Sequence, residues 1–291
     1  MLTRWPAQIV RGFCMGAADV VPGVSGGTIA LVFGIYEMLV HQVRTAADAG
    51  LRMVRLDLPG LADGLKRLEW GFLVPLAVGI VAAVLTLAGT IRHQLDTNPT
   101  DMAGLFFGLV AASILVAMRT IGRVDNTRLL VLFGSAAVTF VVLGARGGEV
   151  TDPQWFVVVA AGALAICAMI LPGISGSFIL LMLGMYDYVL GAIDDRDLAV
   201  VALFGIGAVV GLSAFSHVLD WSLRRHHDTV LAALVGLMAG SLRVLWPWPE
   251  GTDSARLAAP PADDLLGPTA LAVVGAVAVL GIITIGSRAS R

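Results

Sequence analysis

The sequence predicts an all-α polytopic membrane protein built from two inverted-topology repeats, each a broken or re-entrant helical hairpin followed by three transmembrane helices. Three observations lead there. Of 291 residues, 57% are hydrophobic and 14% charged, and the mean hydropathy is +0.87; soluble domains carry roughly 25% charged residues. Uncharged runs at 70–91, 102–118, 129–145, 154–186, 198–216 and 265–287 approach or exceed the ~20 apolar residues of one bilayer crossing. A sixteen-residue string also recurs at a fixed offset of 150.

The repeat defines the two halves. Residues 22–37 realign with 172–187, preserving Pro22/Pro172, Gly23/Gly173, Ser25/Ser175, Gly26/Gly176, Ile29/Ile179, Leu31/Leu181, Gly34/Gly184 and Tyr36/Tyr186. This places a first repeat at 1–150, with its hairpin at about 4–43, and a second at 151–291, with its hairpin at about 154–191. Proline removes a backbone donor and glycine permits positive φ, so each copy breaks its helix. Non-helical backbone at membrane depth survives only inside protein or along a cavity.

The basic residues orient the elements, because short cytoplasmic loops collect Lys and Arg. If the first motif is a hairpin, the loops 44–67 and 119–128, the Arg224–Arg225 turn and the C-terminus share the side of Arg4 and Arg11, which gathers 14 of the 19 basic residues. A single crossing would send the two most basic loops to the other side. Six crossings plus two re-entrant hairpins, or ten crossings, satisfy this count equally. Three crossings after each hairpin is odd, so the second half is expected to be inverted, an architecture of transporters. The N-terminal stretch, interrupted by Arg11 and Asp19, reads as part of the mature fold rather than a secretory signal. The cluster at residues 246–249 reads as an anchor in the outer headgroup belt, and 250–264 as an external loop.

A helix starting at Gly26 or Gly27 after a proline-glycine turn turns free N–H groups and partial positive charge toward the break, an arrangement that binds anions. Ser25, Thr28, Ser175 and Ser177 add hydroxyls, and Gly23, Gly27, Gly173 and Gly176 let an anion approach the backbone. Two tips meeting near the midplane would form a paired anion site; close helix packing by small residues is the alternative. Asp19, whose counterpart is Met169, is a candidate proton or cation coupling group or a cap on the broken backbone. Arg11 and Glu37 reach similar depth, predicting an ion pair between hairpin limbs or an Arg11 that catches an anionic headgroup. Asp187 is Glu37's counterpart and a further coupling candidate.

Other chemistries find less support. The net charge of −2 and the scattered basic residues exclude a nucleic-acid surface. Cys14 and Cys167 lie in apolar stretches and read as small hydrophobes, with no metal-ligand spacing around them. The Gly-x-Ser-Gly strings around Ser25 and Ser175 also occur around intramembrane serine nucleophiles, but such an enzyme needs a histidine base and His217 occurs in one half only. His217 reads as packed or interfacial, and His226 with His227 as a solvated turn.

Residues 16–28 with Gly34, Ile35, Tyr36 and Glu37 resemble the signature of the bacterial polyprenyl-phosphate transporters, long catalogued as a domain of unknown function. Residues 171–177 with Gly184 and Tyr186 are similar to that family's second signature. The resemblance implies a non-enzymatic transporter that returns undecaprenyl or decaprenyl phosphate from the outer to the cytoplasmic leaflet for reuse in envelope glycan synthesis. It further implies location in the bacterial plasma membrane with both termini cytoplasmic, a lipid partner, no cofactor, and proton or sodium coupling as an open question. On this sequence it points to Gly23, Ser25, Gly26, Gly27, Gly173, Ser175, Gly176 and Ser177, with Arg11 and Asp19 in support. An ion-coupled carrier or channel for a small soluble anion would use the same paired helix ends.

Overall fold

The computed structural model describes residues 5–21, 23–145, 147–148, 150–249, 251, 256–261 and 264–288, with the side chains of Val54 and of 282–288 excepted. Pro22, Arg4 and Arg146 therefore lie outside the described residues, as does most of the predicted loop between 250 and 255. Among the described residues the secondary structure is helical throughout.

The element order is α1 (Trp5–Asp19), α2 (Gly26–Val32), α3 (Tyr36–Val54), α4 (Leu58–Arg67), α5 (Trp70–Thr97), α6 (Pro99–Met118), α7 (Asn126–Val142), α8 (Trp155–Ile170), α9 (Gly176–Met182), α10 (Tyr186–Asp194), α11 (Leu198–Arg225), α12 (His227–Ser241) and α13 (Leu266–Arg288). The first three elements of each half begin 150 residues apart. Each half breaks twice, at glycines held in the left-handed region: Gly23 (φ 83°) and Gly34 (φ 66°) in the first, Gly173 (φ 85°) and Gly184 (φ 66°) in the second. At the second break of the second half the chain bends by 112° between α9 and α10. Proline and glycine at 172–173 account for the first break; the second follows from Gly184, whose lack of Cβ removes the penalty for positive φ.

Side-chain caps fix several other starts, where a carboxylate satisfies an N–H that has no intrahelical partner. Asp57 accepts from the Gly60 N–H (3.0 Å), Asp125 from that of Arg128 (2.9 Å) and Asp197 from that of Ala199 (3.0 Å).

Among the described residues, three helices are long and apolar enough to cross a bilayer alone: α5, α6 and α11. The bent α9–α10 pair would add one more if it is a single span. The apolar helices α7, α8 and α12 are shorter, with 17, 16 and 15 residues, about 22 to 26 Å at 1.5 Å per residue against a ~30 Å hydrocarbon core, while α13 has 23 residues, of which the side chains of 282–288 are not described.

The helices associate in four closely packed pairs, each along a glycine seam. A Cβ on Gly12 would land on the carbonyl oxygen of Leu76, which seats α1 against α5; one on Gly207 would land on that of Val159, seating α8 against α11. Gly108 faces the carbonyl of Ala272 between α6 and α13, and Gly236 that of Leu132 between α7 and α12. In hydrocarbon, packing of this closeness replaces the hydrophobic drive that water would supply. Two pairs stay within a half, and the second half holds a small cluster of its own around Val158, Ala161, Leu180 and Met185, while α6/α13 and α7/α12 exchange partners between halves. The principal cluster accordingly joins Val21, Val24, Ile35 and Tyr36 of the first break to Leu231, Val235, Met238 and Leu245 of the second half.

Candidate functional site

The two proline-glycine breaks meet. Ser25 caps α2 by accepting from the Gly27 N–H (3.1 Å), and its hydroxyl reaches across 144 positions of sequence to donate to the carbonyl of Met169 (3.2 Å). The Thr28 hydroxyl accepts from the Gly173 N–H (2.8 Å), and the Tyr36 hydroxyl donates to the carbonyl of Ile170 (3.2 Å). A Cβ on Gly27 would stand 2.9 Å from the Ile170 oxygen, so glycine is what permits the contact. Ser175 and Ser177 hold their hydroxyls 2.7 Å apart.

In this conformation the junction is sealed. Ser25 is 2% exposed, Thr28 fully buried and Ser175 8% exposed, while Ser177 faces outward. The two tips stand together as expected, but at the first tip the donors are not open: the hydroxyls of Ser25 and Thr28 are committed to backbone groups of the opposite motif or their own cap, while Ser177 of the second tip stays exposed. Asp19 departs the same way. Its Oδ1 accepts from the Gly26 N–H at 2.6 Å, so the carboxylate occupies the front of α2, the capping option of the two predicted for it. In the second half Met169 stands at the equivalent position, and its side chain would meet a Cβ on Gly176 at 2.6 Å.

The predicted Arg11–Glu37 pair is absent. Glu37 instead pairs with His227 (2.7 Å), which also contacts Asp228 (3.2 Å). Arg11 buries one guanidinium nitrogen, Nη1, without a hydrogen-bond partner. Equal distance from the tip is no guarantee of contact, because the bend after Gly34 carries α3 away from α1 toward the α11–α12 turn. His226 and His227 are both exposed, as expected of a solvated turn, and His227 adds the ion pairs to Glu37 and Asp228 that the sequence did not show. Asp187 is exposed. Trp248 is 5% exposed and donates to the Asp264 carbonyl (3.3 Å), and Trp246 donates to that of Ala258 (3.0 Å), so the pair also ties down the chain that follows it. His217 contacts Asp48 (2.8 Å) and the Ser213 carbonyl (2.6 Å), which leaves both serine motifs without an imidazole base.

One group of charges escaped the sequence reading. Asp220, 4% exposed on α11, pairs with Arg44 of α3 and with Arg224 one turn on (3.0 Å), and approaches His41 (3.4 Å). His41, Arg44 and Asp48 lie three and four residues apart on one face of α3, a stripe that hydropathy alone does not single out.

The family model described as undecaprenyl phosphate translocase-like matches residues 15–259, spanning both breaks and everything between them. The chain belongs to this family. It is similar to a polyprenyl-phosphate transporter of Vibrio cholerae, at 43% identity over 241 residues covering 83% of this chain and 77% of the relative. A second polyprenyl-phosphate transporter, from Staphylococcus aureus, is 30% identical over 261 residues, covering 84% and 87%. No solved structure matches the chain. The resemblance drawn from residues 16–37 and 171–186 is thus borne out.

Proposed function

We propose that this protein is a flippase for undecaprenyl or decaprenyl phosphate, returning the lipid carrier from the outer to the cytoplasmic leaflet of the bacterial plasma membrane for reuse in envelope glycan synthesis. The observation that carries the reading is the interlock of Ser25, Thr28 and Tyr36 with residues 169–173, in a chain whose relatives are named polyprenyl-phosphate transporters. A phosphomonoester carries about −1.5 to −2 charge near neutral pH, so the headgroup is the barrier to crossing while the prenyl tail stays in lipid.

The halves, 1–150 and 151–291, act as inverted repeats. Residue pairings along the seams support this: Gly12 with Leu76 and Gly16 with Ile80 align α1 and α5 in the same direction, and Gly104 with Pro268 and Gly108 with Ala272 do so for α6 and α13. Gly162 with Phe204, Gly207 with Val159, and Gly236 with Leu132 make the corresponding pairs α8/α11 and α7/α12. Since α6 and α7 are successive spans, their parallel partners α13 and α12 run as the mirror set. The termini are cytoplasmic on the basic-residue count.

Transport begins when the sealed junction parts. Separation frees the Gly173 N–H and the Ser25 and Thr28 hydroxyls, which together with Ser175, Ser177, Gly23, Gly26, Gly27 and Gly176 hold the phosphate first on one side of the junction and then on the other. Asp19 competes with phosphate for the Gly26 N–H, and taking up a proton there would release it; this couples the cycle to protons. Arg11 stabilises the headgroup on its approach, while Glu37 and Asp187 act outside the junction.

The test is transport in liposomes carrying the purified protein. Fluorescent prenyl phosphate in the outer leaflet should become inaccessible to a membrane-impermeant quencher or phosphatase, and Ser25→Ala with Ser175→Ala should slow this at least tenfold in a folded protein. Uptake of soluble phosphate without movement of the lipid would overturn the reading in favour of a small-anion carrier.

A further inference from the structure

Away from the junction, a cavity of about 300 Å³ opens between α3, α4 and the end of α11. Its wall carries Arg44, Arg52, Arg67 and Arg224, with His41 and one carboxylate, Asp48. Asp220 and Asp57 stand behind the wall, the first holding Arg44 and Arg224, the second 3.8 Å from Arg52. Four guanidiniums against these three carboxylates leave one positive charge uncompensated before His41 is protonated. Arginine presents planar donor forks that match phosphate oxygens, and a recess walled by four of them concentrates an anion further.

The surroundings point to the membrane boundary. The chain entering α4 and α4 itself expose Leu56, Leu58 and Leu65 beside Lys66 and Arg67, the mix of apolar and basic side chains of a helix lying in the headgroup layer. The cavity is also peculiar to one half. Positions 191, 194 and 195, equivalent to His41, Arg44 and Thr45, are Gly191, Asp194 and Asp195, and α4 has no counterpart between α10 and α11. The cavity is therefore an addition to the repeat, and the matching end of the other half is acidic.

We infer that this cavity is a second anion site, which binds a phosphate group at the basic, cytoplasmic end of the protein. With the proposed transport reading, on which only the identity of the tail rests, its ligand is the prenyl monophosphate arriving in the inner leaflet. The guanidiniums hold the headgroup at the interface after it leaves the junction, and the acidic end of the second half offers no competing place.

A cavity-local reporter tests the site separately from transport. In a protein with Cys14→Ala and Cys167→Ala, Thr45→Cys places a thiol on the cavity wall, and its alkylation rate is measured with farnesyl phosphate, inorganic phosphate or farnesol. Farnesyl phosphate should slow alkylation at least fivefold and farnesol less than twofold. Arg52→Gln with Arg67→Gln should abolish the protection, Arg67→Lys should retain most of it, and Lys66→Gln, outside the wall, should leave it unchanged. Protection by inorganic phosphate at the same concentration identifies free phosphate as the ligand; protection by farnesyl phosphate at concentrations at least tenfold lower identifies the lipid headgroup. No protection by either phosphate, or protection that persists in the double glutamine variant, overturns the inference. Transport that fails while protection remains counts against the junction alone.

Discussion

Replacing Thr28 with valine tests the interlock at its most isolated bond. Thr28 is fully buried, and its hydroxyl accepts from the Gly173 N–H at 2.8 Å. Valine keeps the volume and branching but offers no acceptor, so the Gly173 N–H is left buried and unpaired in the closed junction. Orphaning a buried donor costs about 1 to 3 kcal/mol, equivalent to a roughly 5- to 150-fold shift of the closed-to-open equilibrium. Hydrogen–deuterium exchange of a peptide covering 171–177 reads that shift directly, because an amide exchanges only when its bond opens. Exchange should accelerate within that range in Thr28→Val and return close to the parent rate in Thr28→Ser. Rates within twofold of the parent in Thr28→Val would refute the view that this bond holds the motifs together.

Asp19→Ala removes the carboxylate that accepts from the Gly26 N–H and should destabilise the protein by about 1 kcal/mol, the usual cost of a lost cap, read as a lower Tm; Asp19→Asn, which retains an oxygen, should lose less. Gly108→Val drives a side chain into the Ala272 carbonyl and should cost about 3 kcal/mol or more, seen as loss of monodisperse protein, whereas Gly134→Ala, with open space around it, should change Tm by little. Asp220→Asn leaves Arg44 and Arg224 without their shared carboxylate and should cost about 1 to 3 kcal/mol, while raising the positive charge of the neighbouring cavity.

Much of the architecture was legible because the physics is local. Proline and glycine within an apolar run dictate a broken helix wherever they occur, and their recurrence at a fixed offset identified both breaks at 23 and 173. The second break was also written in the repeat, as Gly34 and Gly184, but a single glycine is compatible with a continuing helix, and only its positive φ shows that the chain turns there. The Arg11–Glu37 expectation failed at this point, since it measured depth along two straight limbs and the bend redirects one of them. The number of crossings is less legible for a related reason: uninterrupted hydropathy says that residues are in apolar surroundings, whether or not their helix is long enough to span alone.

The candidate site divides the same way. That Ser25, Thr28 and the glycines sit at a junction with residues 169–173 follows from two similar bends approaching each other. That their donors are consumed by each other does not, because backbone carbonyls at 169 and 170 carry no mark in a sequence of side chains. The His41–Arg44–Asp48 stripe was hidden where the expected hairpin passes into a loop counted only for its charge, and its meaning appeared when α11 brought Asp220 and Arg224 alongside it.

The most direct measurement of the central claim is a structure of the full-length protein with a prenyl phosphate bound. The phosphorus should lie within about 4 Å of backbone or hydroxyl groups of both 23–28 and 173–177, with the Thr28–Gly173 and Ser25–Met169 bonds broken to admit it. A headgroup found in the basic cavity alone, or elsewhere on the surface, with those bonds intact through the whole transport cycle, would contradict it.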